Sequence, residues 1–253
     1  MEIVIIGTGN TATILGRMLR AAGHRIVQVF GRDSMAASEL AYELGTESTN
    51  YWYVIYPTAD LYILAVSDNS IGEVLKEFPL RGKTIVHTAA AVSKEVLRGA
   101  TDDYGVLYPL QTLKKESRHL PDVPLVIDAS NERTFYKLLR LGESISTRVL
   151  PGTDDERLKL HLAAVFCNNF SNHLYRLMED YCKKEGIDFS LLIPLIAETG
   201  LRITEMPPSK AQTGPAARND TATMEHHKEM LKNHPHLHTI YQLFSESIRQ
   251  YLN

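Results

Sequence analysis

Gly7, Gly9 and Ala12 stand in the spacing G-x-G-x-x-A, directly behind the apolar run Ile3-Val4-Ile5-Ile6. A tight turn at Gly7, an approachable backbone at Gly9 and a small side chain at Ala12 suit the close passage of a diphosphate, and the free N–H groups of a helix opening there face its charge. Gly7, Thr8, Gly9, Asn10 and Thr11 are therefore expected to hold a dinucleotide. The next apolar run, Ile26-Val27-Gln28-Val29-Phe30, ends in Gly31-Arg32-Asp33-Ser34. A guanidinium and a hydroxyl at that point take a ribose 2′-phosphate, whereas a carboxylate takes a free ribose, so Arg32 and Ser34 favour NADP over NAD. Asp33 has two readings, ribose acceptor or cap of the following helix. For Arg32 the alternative is a solvated surface cation.

Further along, His87 closes the run Lys83-Thr84-Ile85-Val86. It is expected either beside the nicotinamide as a proton donor or in a hydrogen-bonded structural role. On a helix turning 100° per residue, Asn168 and Asn172 each lie about 20° from the azimuth of His161, and Asn169 about 80° away. Polar groups in a stripe on an otherwise apolar helix need partners if they are to be buried. His161 and Asn169 are accordingly catalytic candidates and Asn172 a substrate contact, with an interhelical hydrogen-bond network as the alternative. Thr213-Gly214-Pro215, with Arg218 and Asp220, brings a hydroxyl, a flexible glycine and backbone N–H groups to a helix entry. That arrangement suits a substrate anion at Thr213, Gly214 and Arg218; a local Arg218–Asp220 pair is the competing reading. His226, His227, His234, His236 and His238 come without cysteines or a carboxylate pattern, so no metal is expected.

These groups are positioned by alternating strand and helix signals. Strand-forming runs at 3–6, 26–30, 59–66, 83–87, 105–108, 124–128 and 145–150 are interleaved with helical periodicity at 34–44, 71–78 and 131–141; 50–57 fits a short strand or a loop. Ser67-Asp68-Asn69 can cap the second of these helices and Asn131 the third. Such alternation implies right-handed crossovers and a parallel, doubly wound sheet, with ligands outside the carboxyl ends of its strands. Val66, Ser67, Asp68 and Thr88 then share the cofactor rim with the glycine turn. Pro151-Gly152 separates this domain, residues 1–152, from an all-helical domain, 153–253. Thr153 with Glu156 fits a capping box, opening about 33 residues of uninterrupted helix, roughly 50 Å, up to Gly186. A helix of that length is expected to pack against its own copy in a homodimer. Helices are also expected at 188–199, 221–232 and 235–252, with a loop at 201–211.

With 253 residues, 44% hydrophobic and 23% charged, the chain has the composition of a globular protein able to build a core. A net charge of −3 without a basic stripe argues against a nucleic-acid partner, and no apolar run nears the ~20 residues that cross a bilayer. The chain starts directly in a strand, without the marks of a signal peptide. Cys167 and Cys182, on one helix, would stand about 22 Å apart, beyond disulfide reach. A reduced, cytoplasmic protein is expected.

The ordered segments Val4-Ile5-Ile6-Gly7-Thr8-Gly9-Asn10, Val66-Ser67-Asp68, Val86-His87-Thr88-Ala89, Tyr108-Pro109-Leu110-Gln111-Thr112, His161-Leu162-Ala163-Ala164-Val165-Phe166 with Asn169-Phe170, and Thr213-Gly214-Pro215-Ala216-Ala217-Arg218-Asn219-Asp220 carry a resemblance. Together they resemble the Rossmann-like proteins with a DUF2520 C-terminal domain, related in architecture to pyrroline-5-carboxylate reductase and the 3-hydroxyisobutyrate dehydrogenases. The resemblance implies an α/β fold with an all-α C-terminal domain of the 6-phosphogluconate-dehydrogenase type. It also implies an NADP(H)-dependent oxidoreductase acting on a small C=O or C=N substrate bound between the domains; an NADPH-binding sensor without turnover is the alternative. In the reductases a Ser/Thr-rich turn comparable to Thr213-Gly214 holds the substrate carboxylate. Two positions depart from the family pattern: Tyr108-Pro109 stands in place of a His-Pro pair, and Ala89-Ala90 in place of Ser-Gly. In the related dehydrogenases the corresponding helix supplies a lysine and an asparagine; here Lys159 stands two residues before His161, but no lysine has an asparagine four residues after it.

Overall fold

The computed structural model describes residues 1–78, 81–117 and 120–252. Its first unit, Met1–Asn169, is built on an eight-stranded sheet. The elements in chain order are β1 (Glu2–Ile6), α1 (Asn10–Ala21), β2 (Arg25–Phe30), α2 (Ser34–Leu44), β3 (Glu47–Thr49), β4 (Leu61–Leu64), α3 (Ile71–Glu77), β5 (Ile85–His87), β6 (Tyr104–Pro109), β7 (Leu125–Ala129), α4 (Glu132–Ile145) and β8 (Val149–Pro151). The spatial order is β3-β2-β1-β4-β5-β6-β7-β8. Chain direction reverses its walk across the sheet between β1 and β4, and the crevice outside the carboxyl ends of those two strands is where such sheets bind ligands.

β1 shows why these residues make this layer. Its side chains alternate between faces: Ile3 and Ile5 pack with Leu15 and Leu19 of α1 and Leu40 of α2, while Val4 and Ile6 pack with Ile71 and Val74 of α3. All four are at most 1% exposed, as a parallel strand covered on both sides requires. Each such side chain contributes on the order of 1.5–3 kcal/mol.

The all-parallel expectation is corrected at one joint. β6 and β7 pair antiparallel, because the described residues between them form no crossover helix, and a parallel pair needs one. Residues 50–57 are neither strand nor plain loop: Trp52–Val54 form a 3₁₀ turn whose Trp52 ring stacks on Phe30 at 3.7 Å. Ser67 does not cap α3; its hydroxyl pairs with that of Ser70 at 2.7 Å, across a 3₁₀ turn at Asp68–Ser70. Asn131 does cap α4, accepting from Thr134 N at 2.9 Å. α4 runs on to Ile145, so the last strand starts only at Val149.

The predicted long helix is continuous in backbone but changes type. α5 (Asp154–Ala164) opens with the expected Thr153–Glu156 capping box, Val165–Phe170 form a π turn, and α6 (Ser171–Glu185) ends at Gly186 in the left-handed region, φ 70°. The first unit includes α5 and the π turn up to Asn169; the second begins at Phe170. That second unit is helical: α6, α7 (Ile193–Glu205), α8 (Pro208–Ala211), α9 (Thr221–Met230) and α10 (Pro235–Leu252). The expected loop at 201–211 is instead the end of α7 and a short α8. Gly200 is tolerated inside α7, which stops where Met206 turns extended before Pro207.

Candidate functional site

The glycine turn has the geometry its composition demands. Gly7 sits at φ +125°, and a Cβ there would lie 2.2 Å from the Ala65 carbonyl oxygen, so neither conformation nor space admits a side chain. Its N–H donates to the Phe30 carbonyl at 2.8 Å, tying the turn to the end of β2. Gly9 occupies the N-cap of α1 with no side-chain cap and no acid in the first turn, leaving helix N–H groups and open space for an anion. A Cβ on Gly31 would meet the Thr8 methyl at 2.6 Å. Gly7, Thr8, Gly9, Arg32, Val66 and Ser67 line one cavity of about 300 Å³. The backbone cradle and the cation beside it fit a dinucleotide with a phosphorylated ribose.

Five expected cofactor residues lie outside that lining. Thr11 is half-buried, while Asn10, Ser34 and Asp68 are exposed. Asn10 accepts from Lys115 N at 3.1 Å, and the buried Thr88 hydroxyl faces the Leu64 carbonyl at 3.4 Å. Asp33 caps α2, its Oδ1 accepting from Met35 N at 2.9 Å and Ala36 N at 3.2 Å, and it lines the cavity together with Arg32.

A second cluster gathers on the same rim, since β6 is parallel to β5 and Tyr108 lies near its carboxyl end. The Tyr108 hydroxyl is 3.1 Å from His161 Nδ1, with the rings edge-to-face at 6.2 Å. Burial pushes the Tyr108 phenol up; the Arg157 charge opposes this and the Asp68 charge adds to it. One π-turn later, Asn168 Nδ2 donates to the Thr112 hydroxyl. The polar stripe is thus split: His161 and Asn168 meet the end of β6 and the loop after it, Asn169 is exposed, and Asn172 is exposed on α6. An even 100° per residue does not hold through a π turn.

His87 is enclosed rather than presented to a ligand. It is 0% exposed, its Nδ1 accepts from Ala89 N at 3.2 Å, and Nε2 has no hydrogen-bond partner. Burial first, and the Arg157 charge second, bring its pKa down to about 4. The ring is neutral at pH 7, which fits the structural reading of His87 rather than the proton donor.

Arg157, which the sequence reading did not single out, lies beneath this cluster at 1% exposure. Its Nε donates to the Ala90 carbonyl at 3.0 Å, and Nη2 to the Val92 carbonyl at 2.6 Å and to Asp154 at 2.7 Å. Burial alone would raise the Asp154 carboxyl, but hydrogen bonds from Ser93 and Arg157 hold it below its usual range. The available signal was spacing, because Arg157 precedes His161 by four residues and so shares its helix face. Tyr108 was visible only as a departure from the family pattern.

In the second unit, Thr213 and Gly214, the latter at φ +105°, line a mostly apolar cavity of about 330 Å³ with Leu174, Met178, Tyr181 and Phe244 among its walls. Arg218 is exposed and outside that lining. Asp220 caps α9 through Thr223 N at 3.1 Å. Of the clustered histidines, His227 bonds the Tyr241 hydroxyl at 3.0 Å and His234 bonds Glu185 at 2.7 Å. Among the described residues no three His, Cys, Asp or Glu side chains converge as metal ligands do.

Residues 2–91 match the family described as NADP oxidoreductase, coenzyme F420-dependent, and residues 123–248 match the domain of unknown function DUF2520. Among solved structures, a provisionally assigned NADP oxidoreductase from Bacteroides fragilis is 38% identical, with a TM-score of 0.90 and 98% of each chain covered. Two more distant structures share the fold. The 1-pyrroline-5-carboxylate reductase of Streptococcus pyogenes is 16% identical, with a TM-score of 0.69 over 99% of this chain and 98% of that one. The reductive aminase of Aspergillus terreus, solved with NADPH and ethyl levulinate, is 16% identical, with a TM-score of 0.71 over 98% and 94%. No curated protein matches the chain.

Proposed function

The chain belongs to the NADP-binding oxidoreductase family that joins a Rossmann domain to a DUF2520 domain, and from that premise we propose that it is an NADPH-dependent reductase of a small C=O or C=N substrate. The observation that carries this reading is the Tyr108–His161 pair, 3.1 Å apart, on the same strand rim as the dinucleotide cradle. NADPH, when bound, supplies the hydride. The protein's part is to bind it, to orient the acceptor and to deliver a proton.

Gly7, Thr8 and Gly9 accommodate the diphosphate, and Arg32 takes the 2′-phosphate. His161 is the solvent-accessible member of the pair and Tyr108 the buried one, so a proton entering at the imidazole reaches the substrate directly or through the phenol hydroxyl. Thr213 and Gly214 are the substrate contacts we assign to the second unit, where the cavity they line is mostly apolar and suits an uncharged body better than a carboxylate. Asn169, Asn172 and Arg218, all exposed, are assigned lesser substrate contacts. The protein acts as a homodimer through its carboxyl-terminal helices.

The test is a panel of aldehydes, ketones, keto acids and cyclic imines offered with NADPH, followed by loss of NADPH absorbance. With the substrate so found, His161→Ala and Tyr108→Phe should each lower kcat by about 10²-fold or more, the usual size of a general-acid contribution, while NADPH affinity stays within a factor of two or so. Tight NADPH binding with no turnover across the panel would overturn the reductase and identify a cofactor sensor.

A further inference from the structure

Two buried side-chain atoms among the described residues lack a hydrogen-bond partner: Nη1 of Arg157 and Nε2 of His87. They belong to one neighbourhood, because the Arg157 charge acts on both His87 and Tyr108. A guanidinium at 1% exposure is costly to enclose, and an apolar side chain of similar volume usually stabilises a fold as well or better. The capping box is internal to the helix, and Asp154, which accepts from Lys94 N at 3.2 Å, ties only its first residue; neither acts at the turn that leads to His161. What Arg157 alone does is reach from the face of α5 that carries His161 to the Ala90 and Val92 carbonyls in the loop that follows β5.

We propose that Arg157 is a positioning residue for the Tyr108–His161 pair: its bonds to the two loop carbonyls and Asp154 fix α5 against the strand rim so that the imidazole meets the phenol hydroxyl. The catalytic meaning of this placement rests on the reductase reading; the placement itself does not. Removal of the tether lets α5 shift at His161, one turn away, and the 3.1 Å contact opens.

The experiment reads the ring nitrogens of His161 by ¹⁵N-histidine NMR in the resting, full-length protein. In the native protein Nδ1 should carry the signature of a hydrogen-bonded nitrogen, with Tyr108→Phe defining its loss. Arg157→Met should show the same loss while its circular dichroism and NADPH affinity remain native. Arg157→Lys, which keeps the buried charge but cannot span both carbonyls, should weaken the signature without abolishing it. A native signature in Arg157→Met overturns the proposal. If that variant does not fold, Arg157→Lys decides: an unchanged signature, or failure of both variants to fold, assigns Arg157 to holding the fold alone. Because the readout needs no substrate, absence of turnover leaves this result standing. A lost signature with turnover intact would instead count against the Tyr108–His161 proton source.

Discussion

Arg32 and His87 show how differently two charged or titratable residues on one rim are constrained. The Arg32 side chain is 77% exposed and stands 3.6 Å from Glu73, a pair of the kind that contributes about 0–1 kcal/mol and leaves the guanidinium free to turn to a phosphate. Arg32→Ala should weaken NADPH binding by roughly 10- to 100-fold, the equivalent of losing a hydrogen bond to a charged group, and leave NADH nearly unchanged; titration calorimetry showing equal losses would remove it from that role. His87 affects stability instead. Its folded pKa is depressed to about 4 against an ordinary value near 6.5, so the unfolded chain binds the extra proton first as pH falls. Stability is fully present above pH 6.5 and declines between about 6.5 and 4, by at most ~3 kcal/mol. His87→Gln should flatten urea midpoints across that window relative to the native protein; an unchanged slope would place the acid-sensitive group elsewhere. Reading these roles from sequence succeeded only in part. Arg32 announces itself by closing β2, but the depressed pKa of His87 owes part of its shift to Arg157, seventy positions away in the chain.

Elements were legible where the signal is local. G-x-G-x-x-A, the β2 run and the Thr153–Glu156 box each specify their structure within a few residues, and each was found as read. Thr153→Ala should cost about 1 kcal/mol of unfolding free energy, seen as a lower urea midpoint, because the hydroxyl that accepts from Glu156 N and donates to the Glu156 carboxylate is lost; no shift would mean α5 is held by packing alone. The π turn was not legible. Val165-Phe166-Cys167-Asn168-Asn169-Phe170 contains no helix breaker, and the contact made from within it, Asn168 with Thr112, spans 56 positions. The antiparallel β6–β7 joint escaped for a related reason: a strand's own pattern does not say which way it runs, only the connection does.

For the molecule as a whole, the two units differ in how much apolar surface they hide. The sheet unit has a core on both faces, but among the described residues of the second unit few hydrophobic side chains are buried, Cys182, Ala216, Met224 and Leu237, and α7 buries none. Ile193, Leu195, Leu201 and Ile203 on α7 are 54–62% exposed and, at about 100° per residue, spread round the whole helix; a helix apolar all round is ordinarily covered by protein. Light scattering at micromolar concentration should therefore give a mass near twice the 28.4 kDa of one chain; a monomer would refute the pairing. Under the proposed pairing the folded second unit obeys mass action. Its melting temperature should climb with protein concentration. Activity per chain should fall on dilution, and a cell making few copies would hold unassembled chains exposed to proteolysis, so that expression level would govern the quality of the protein as well as its amount.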